Sequence, residues 1–412
     1  MTPGRRERAG APLRIGYVVG TTAGGTGPHV AMLAQGCAAR GMAVRVFGPA
    51  EVGRRYFAGP ERGRAPGPGR GGAPGPGRDG APGPAHAGVV GQGGLPGFAA
   101  VAMSDRPRPV RDLAAVLRLR RLLRDWVPDV VHAHGLRAAA FAALARTGLP
   151  GTLVVTVHNA PPAAGSGRLA HAALERLAAR RSDAVTWVSG DVAERMRRAG
   201  ARDGGRAVVA APGFPVPGPG QVAAARADLG APGRPAVFAA GRLAEQKGFG
   251  ILIDAAARWQ GRDPAPLLAI AGDGPLAGAL ASQAQAARVP VRFLGRRTDV
   301  PALMAAADVV VVPSLWEGQP LVVQEALRAG RPLVASRVGG IPDLTGEDGA
   351  LLVPPGDAGE LAEAVLSVLG DGRVAARLGA AAAQRGTTLP SAEDAVDSAI
   401  ALYRRVIRAA NG

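Results

Sequence analysis

The sequence predicts two doubly wound α/β domains that face each other across a cleft, and three observations carry that expectation. Short runs of continuous apolar residues alternate with helical stretches in both halves of the chain. Strands of a parallel sheet covered on both faces must read this way. A break, GFPVPGPG at residues 213–220, separates the two series. The charge also changes there. Residues 1–216 hold 30 arginines against 13 acids, and residues 217–412 hold 18 arginines and one lysine against 19 acids. The whole net charge of +17 therefore sits in the first half.

Bulk composition narrows the function classes. A chain of 412 residues is too long for one ordinary core. Its apolar share of 47% is globular, with aromatics at only 4%. The single cysteine, Cys37, excludes an internal disulfide framework and fits a reducing compartment. No apolar run reaches about 18 residues, so no spanning helix is expected. The first residues carry charges but no apolar stretch with a cleavage site, so the expected location is cytoplasmic. A nucleic-acid partner is not expected: aromatics are scarce and the second half is neutral.

The elements follow in order. LRIGYVV reads as the first strand, a glycine loop and helix follow, and MAVRVFG is the second strand. The pattern then collapses. Residues 53–97 are dense in Gly and Pro and read as a disordered insertion, because they bury too little apolar area to offset chain entropy. Four helix–strand pairs come next, with strands at DVVHAHG, GTLVVTVHN, AVTWVS and RAVVAAPG. After the break, strands are expected at AVFAAGR, PLLAIAGDG, VRFLG, DVVVVPS, PLVASRVGG and ALLVPP, with helices between them and helices to the end. Ligands of such sheets bind beyond the carboxyl ends of the strands. The motifs with chemistry fall in those loops.

GRLAEQKG, residues 241–248, contains the only lysine in a chain that otherwise writes arginine. Arg242 and Lys247 stand five apart between a strand and the next helix. Two cations there can converge on one anion, with helix amides adding donors. Arginine supplies a planar fork and lysine a compact point charge. In PSLWEGQPLVVQEALRAG, Glu317 and Glu325 lie seven residues apart, one in a loop and one in a helix. A carboxylate accepts well from vicinal hydroxyls, and the loop EGQPL offers amides to an anion. His134 ends the strand DVVHAHG and faces the expected cleft; His132 shares its strand face and reads as packed within the sheet. His158, in TVHNA, is a second cleft candidate. Gly24 and Gly25, after the first strand, allow the backbone to approach a ligand.

These motifs, in this order, resemble the family 4 glycosyltransferases of the GT-B fold. The resemblance covers nearly everything outside 1–12 and 53–97, and its C-terminal half is the more specific. It implies two Rossmann-like domains: 1–213 on the acceptor side, and 214–390 on the donor side. It also implies a final helix, 391–412, that packs back on the first domain. The implied reaction is retaining transfer of a hexosyl-type sugar from a UDP- or GDP-linked donor to a sugar, lipid-linked or small-molecule acceptor. Arg242 and Lys247 would hold the diphosphate, Glu317 the donor sugar, and Glu325 the ribose. His134 would contact sugar and phosphate near the reacting carbon. Gly24, Gly25, Gly318, Gln319, Leu321 and Val322 would line the donor. No cofactor and no metal are implied, and the sequence has neither a D-x-D nor a metal-spaced His/Cys cluster. Two departures stand out: APGFP replaces the usual end of the first domain, and Pro320 removes one amide from the EGQPL loop.

Two other readings remain open at this stage: a nucleotide-sugar epimerase of the same shape, and a non-catalytic nucleotide-sugar-binding member. The helix RPVRDLAAVLRLRRLLRDW also has two readings, as an ordinary sheet-packing helix or as a peripheral contact with an anionic membrane.

Overall fold

The computed structural model describes residues 11–20, 25–57, 96–104, 107–158, 167–211, 216–231, 233–259 and 261–411. Among them the first domain runs β1 (Arg14–Val19), α1 (Thr26–Ala39), β2 (Ala43–Gly48), α2 (Ala50–Val52), a π-helical turn (Gly53–Phe57) and β3 (Gly97–Ala100). It continues with α3 (Pro109–Trp126), β4 (Val130–His134), α4 (Leu136–Ala145), β5 (Thr152–Val157), α5 (Gly167–Arg181), β6 (Ala184–Trp187), α6 (Gly190–Arg198) and β7 (Gly204–Arg206). The strands form one parallel sheet in the order β3-β2-β1-β4-β5-β6-β7.

The second domain begins with α7 (Pro219–Leu229), β8 (Ala236–Ala240), a 3-10 turn (Glu245–Lys247), α8 (Phe249–Ala257), β9 (Leu267–Ala271), α9 (Ala277–Ala286) and β10 (Val291–Gly295). Then come α10 (Val300–Ala306), β11 (Val309–Val312), α11 (Leu321–Arg328), β12 (Leu333–Ser336), α12 (Ile341–Thr345) and β13 (Leu351–Val353). The chain ends in α13 (Ala358–Gly370), α14 (Gly372–Thr387) and α15 (Ala392–Asn411). This sheet is also parallel, in the order β10-β9-β8-β11-β12-β13. In each sheet the order reverses beside the first strand, which opens a crevice at the carboxyl ends.

Side-chain alternation sorts each strand between two cores. Val131 and Ala133 of β4 face the layer of α3, α4, α5 and α6, whereas Val130 faces α1 and α15. His132 also lies on the α15 face, where its Nδ1 meets the Tyr403 hydroxyl at 2.7 Å. Helix α15 thus returns from the second domain to close the first. Gly36 permits the contact: a Cβ there would stand 2.4 Å from Val396 of α15. Arg40 and Asp397 pair at 3.0 Å at the rim.

The structure departs from the sequence reading in three places. The ends of the expected insertion are ordered, because Phe57 stacks on Phe98 at 5.9 Å and draws the π-turn against β3. Residues 58–95 lie outside the described residues. The strand expected at RAVVAAPG is shorter and earlier, at Gly204–Arg206. Its ladder ends where the Ala207 amide reaches Trp187 O at 2.8 Å. Beyond it, Gln324 of α11 accepts from the Ala211 amide at 2.9 Å and donates to Val209 O at 2.9 Å. A buried amide from the other domain therefore takes the place of a neighbouring strand. Helix α7, unread in the sequence, extends the second domain toward the break.

Replacing Tyr403 with Phe should strip His132 Nδ1 and the Tyr17 hydroxyl of a partner, since Tyr403 also donates to Tyr17 at 3.0 Å. The expected loss is about 1–3 kcal/mol, read from urea unfolding. An unchanged midpoint would show that this network does not hold α15.

Candidate functional site

The cleft is built from loops at the carboxyl ends of both sheets. On the second domain, the 3-10 turn after β8 presents Lys247, whose Nζ pairs with Glu317 Oε1. Glu317 is buried and also accepts from Ser314 Oγ at 2.8 Å. The Gln246 side chain donates to Trp316 O at 3.1 Å, and the Leu315 amide to Gln246 O at 2.8 Å. These bonds clip the loop after β8 to the loop after β11. Arg242 is exposed, lines the same cavity, and has no ion-pair partner among the described residues.

The loop Gly318–Pro320 enters α11, and Gly318, Gln319, Leu321 and Val322 all line the cavity of about 280 Å³. Leu321 and Val322 open the helix, so their amides have no intrahelical acceptor. Pro320 precedes them as the N-cap residue. Gln319 Oε1 is buried without a partner. Gly318 touches the first domain: a Cβ there would lie 2.6 Å from Val188 and 2.9 Å from His158 O. Gly25, at the start of α1, stands against Leu321, and Gly24 lies outside the described residues.

Two sequence candidates stand back from the cavity. Glu325 is half-buried on α11, is not a lining residue, and burial pushes its carboxyl above the usual range despite nearby Arg328. His134 lies behind His158, which lines the cleft. Their rings stack at 5.3 Å, and His134 Nδ1 meets His158 Nε2 at 3.0 Å. His134 Nε2 is buried without a partner. His132 is packed within the sheet as read, bonded to Tyr403 and to Thr156 Oγ1 at 2.7 Å.

His29 is the residue that the sequence reading missed. It sits in the first turn of α1, lines the cleft, and completes a group of four imidazoles with His132 and His134, which are buried like it, and the half-buried His158. Three lie at strand ends, and these were visible. His29 lies on a helix, and only its place beside Gly25 could have marked it. Burial lowers all four. His29 falls to about 4, and His132 and His158 to about 3, the latter two also repelled by their neighbours. His134 falls well below its ordinary value, first from burial and then from the three other rings.

A larger cavity of about 750 Å³ lies at the amino ends of β8, β11 and β12, around Arg226, Asp308 and Arg331. It contains none of the candidate residues, and its Arg226–Asp308 pair at 2.8 Å is a structural tie.

Two facing parallel-sheet domains, a crossing C-terminal helix and a cation-bearing loop at the carboxyl end of β8 define the GT-B fold. The model described as "Glycosyl transferase 4-like domain" matches residues 24–213, and "Glycosyl transferases group 1" matches residues 234–371. The chain belongs to this family of enzymes, the family 4 glycosyltransferases. The 2-deoxystreptamine N-acetyl-D-glucosaminyltransferase of Streptomyces fradiae is 32% identical over 325 residues, covering 73% of this chain and 76% of that protein. In fold, the chain is similar to sucrose-phosphate synthase from Thermosynechococcus elongatus, with a TM-score of 0.75 and 21% identity. That match covers 96% of this chain and 100% of the other. It is also similar to Anabaena HepE in complex with UDP-glucose, with a TM-score of 0.73, 20% identity, and coverage of 95% and 100%.

The imidazole group makes stability depend on pH with a definite sign. The unfolded chain binds protons at these histidines near pH 6.5, whereas the fold keeps His29 neutral to about 4, His132 and His158 to about 3, and His134 well below its ordinary value. Stability is therefore intact above about pH 6.5 and falls below it, by up to about 1.4 kcal/mol per pH unit per histidine. Thermal unfolding between pH 7.5 and 5 should show a flat Tm that then drops, with a shallower fall in His132→Gln. A Tm that is level across this range would contradict neutral burial.

Proposed function

We propose that the protein is a retaining hexosyltransferase that moves a sugar from a UDP- or GDP-linked donor to a hydroxylated acceptor. The observation that carries this is the convergence of Arg242, Lys247, Glu317 and the first amides of α11 on one cleft. The names of relatives support a sugar donor: one transfers an N-acetylglucosaminyl group, and another was crystallised with UDP-glucose.

Transfer leaves a diphosphate behind, and its charge grows as the glycosidic bond breaks. Fixed cations and dipoles aimed at that charge lower the barrier without reorganising. Arg242 offers its free fork, and Lys247 a point charge on the same loop. The amides of Leu321 and Val322 add the positive end of α11. We assign the stabilisation of the leaving group to these groups, with no metal required. Glu317 holds Lys247 at the cleft wall. With donor bound it exchanges that partner for a sugar hydroxyl while Lys247 turns to phosphate. His158 forms the first-domain wall, and its neutral ring can hydrogen-bond a sugar hydroxyl without adding charge. His134 fixes the tautomer of His158 from behind. Gly24 and Gly25 let the backbone close on the donor phosphate, and Glu325 serves the ribose after a shift of α11 toward the cleft.

A thermal-shift panel with UDP, GDP, ADP and TDP tests the donor assignment. One nucleotide at about 100 times its Kd should stabilise the wild type by roughly 2.7 kcal/mol, and Lys247→Ala should lose that shift. If no nucleotide stabilises the wild type, the donor assignment fails.

A second observation bears on where the enzyme works. No described helix is long and apolar enough to cross a membrane. Yet Val110, Leu113 and Leu117 are 83%, 61% and 57% exposed along one face of α3, with Leu144 and Leu169 exposed on the adjoining α4 and α5. Exposed Arg111, Arg118, Arg121 and Arg124 accompany them. Apolar side chains among arginines suit the cytoplasmic face of an anionic bilayer. Sedimentation with phosphatidylglycerol vesicles should retain the protein at low salt and release the Leu113→Ser/Leu117→Ser double variant. Equal binding to phosphatidylcholine vesicles, or none to either, rejects this docking.

A further inference from the structure

The chain passes between the domains twice, after β7 and again before α15. Between these crossings lies a second cavity of about 280 Å³, which none of the motifs above explains. Its floor is polar and comes from three adjacent strands: His132, Thr156 and Thr186. These are already joined, His132 Nε2 to Thr156 Oγ1 and Thr156 Oγ1 to Thr186 Oγ1, each at 2.7 Å. The Thr186 hydroxyl ends this row, with only a long 3.5 Å contact to Val155 O beyond it. The opposite wall is apolar, from Leu33 of α1 and Ala399 and Leu402 of α15. Arg206 and Arg405 complete the lining, which contains no carboxylate.

Position ties this cavity to the transfer cleft. His29 lines both. Thr156 and Thr186 line the hinge cavity, and His158 and Val188, two residues further along the same chain segments, line the cleft. A two-residue step along a strand keeps the same face and advances about 6.6–6.8 Å. A ring-sized molecule in the hinge cavity is therefore one such step from the cleft wall.

We propose that the hinge cavity is a second small-molecule site and that it takes a phosphorylated sugar or cyclitol. The apolar face of the ring packs on Ala399 and Leu402, ring hydroxyls meet the Thr186 end of the floor, and the phosphate lies between Arg206 and Arg405. Each guanidinium spends only part of its fork elsewhere: Arg206 on Asp343 of the second domain at 3.0 Å, and Arg405 on Asp203. The remaining donors suit phosphate oxygens. Because Arg206 also holds Asp343, occupancy of this site bears on the junction between the domains. The binding claim stands apart from the identity of the donor.

Isothermal titration of the full chain with glucose 6-phosphate and inositol 1-phosphate tests it, with glucose, inositol and inorganic phosphate as counterparts. Arg405→Ala and Thr186→Val are titrated in parallel, and the UDP-series thermal shift serves as a control for fold and donor cleft. At least one phosphorylated ring should bind tenfold tighter than its unphosphorylated counterpart and than inorganic phosphate, and both variants should weaken it at least tenfold. Binding that persists in both variants places the ligand elsewhere and overturns the site. Equal binding of unphosphorylated rings, or of inorganic phosphate alone, overturns the ligand class. Absence of binding by every probe, with a nucleotide shift retained, overturns the site and leaves the donor reading intact. Loss of the nucleotide shift with ring-phosphate binding retained does the reverse.

Discussion

Lys247 and Glu317 form the tie on which the cleft depends. Two loops from different strands, one after β8 and one after β11, are tied by this pair and the Gln246 bonds beside it, where Gly248 lets the first loop approach Pro313 of the second. Both partners are largely withdrawn from water, with side-chain exposures of 18% and 6%. Breaking such a pair by removing one member leaves the other charge desolvated, which costs far more than an exposed pair contributes. The lysine's aliphatic stem runs over Gly241 and delivers a compact point charge to Glu317, where an arginine would present a planar fork. In a chain with 48 arginines the exception thus has an electrostatic reason.

The domains are joined by contacts of the same economy. Gln324, fully buried, satisfies two backbone groups of the segment that leaves β7. Gly318 brings the α11 loop against Val188 and His158 because it lacks a Cβ. Helix α15 closes the first sheet through Tyr403, which reaches both His132 and Tyr17. The links therefore differ in kind: Gln324 and Tyr403 act through polar groups, Gly318 through close approach, and α15 adds an apolar face of Val396, Ile400 and Val406 to the first core.

Much of this was legible in the sequence, for physical reasons. The alternation of apolar runs and helices located eleven of the thirteen described strands and misplaced a twelfth, because strands buried on both faces write continuous Val, Leu and Ala. The one overlooked, β3, is GFAA at the sheet edge, too short and glycine-led to signal itself beside a Gly/Pro-rich segment. The strand at RAVVAAPG failed for the opposite reason: Val208 and Ala210 do join the first domain's core, but the backbone of Val209 and Ala211 is taken by the Gln324 side chain instead of a strand. At the site, Lys247, Glu317 and Gly318 could be read because composition and spacing set them apart. His29 could not, since a lone histidine in a helical turn carries no periodic signal. The relation between His134 and His158 was hidden as well, because register between β4 and β5 decides which ring stands in front.

The charge of the two halves acquires its meaning only from the fold. All the excess positive charge belongs to the first half, yet the cations that line the cleft, Arg242 and Lys247, come from the half with no net charge. The first domain instead faces the cleft with imidazoles that burial keeps neutral. This division has a chemical logic. A cation close to a reacting sugar carbon would oppose the positive charge that develops there, whereas a cation at the leaving phosphate assists departure. With the donor placed as proposed, neutral rings on one wall and fixed cations on the other would set a field across the cleft that points from phosphate to sugar.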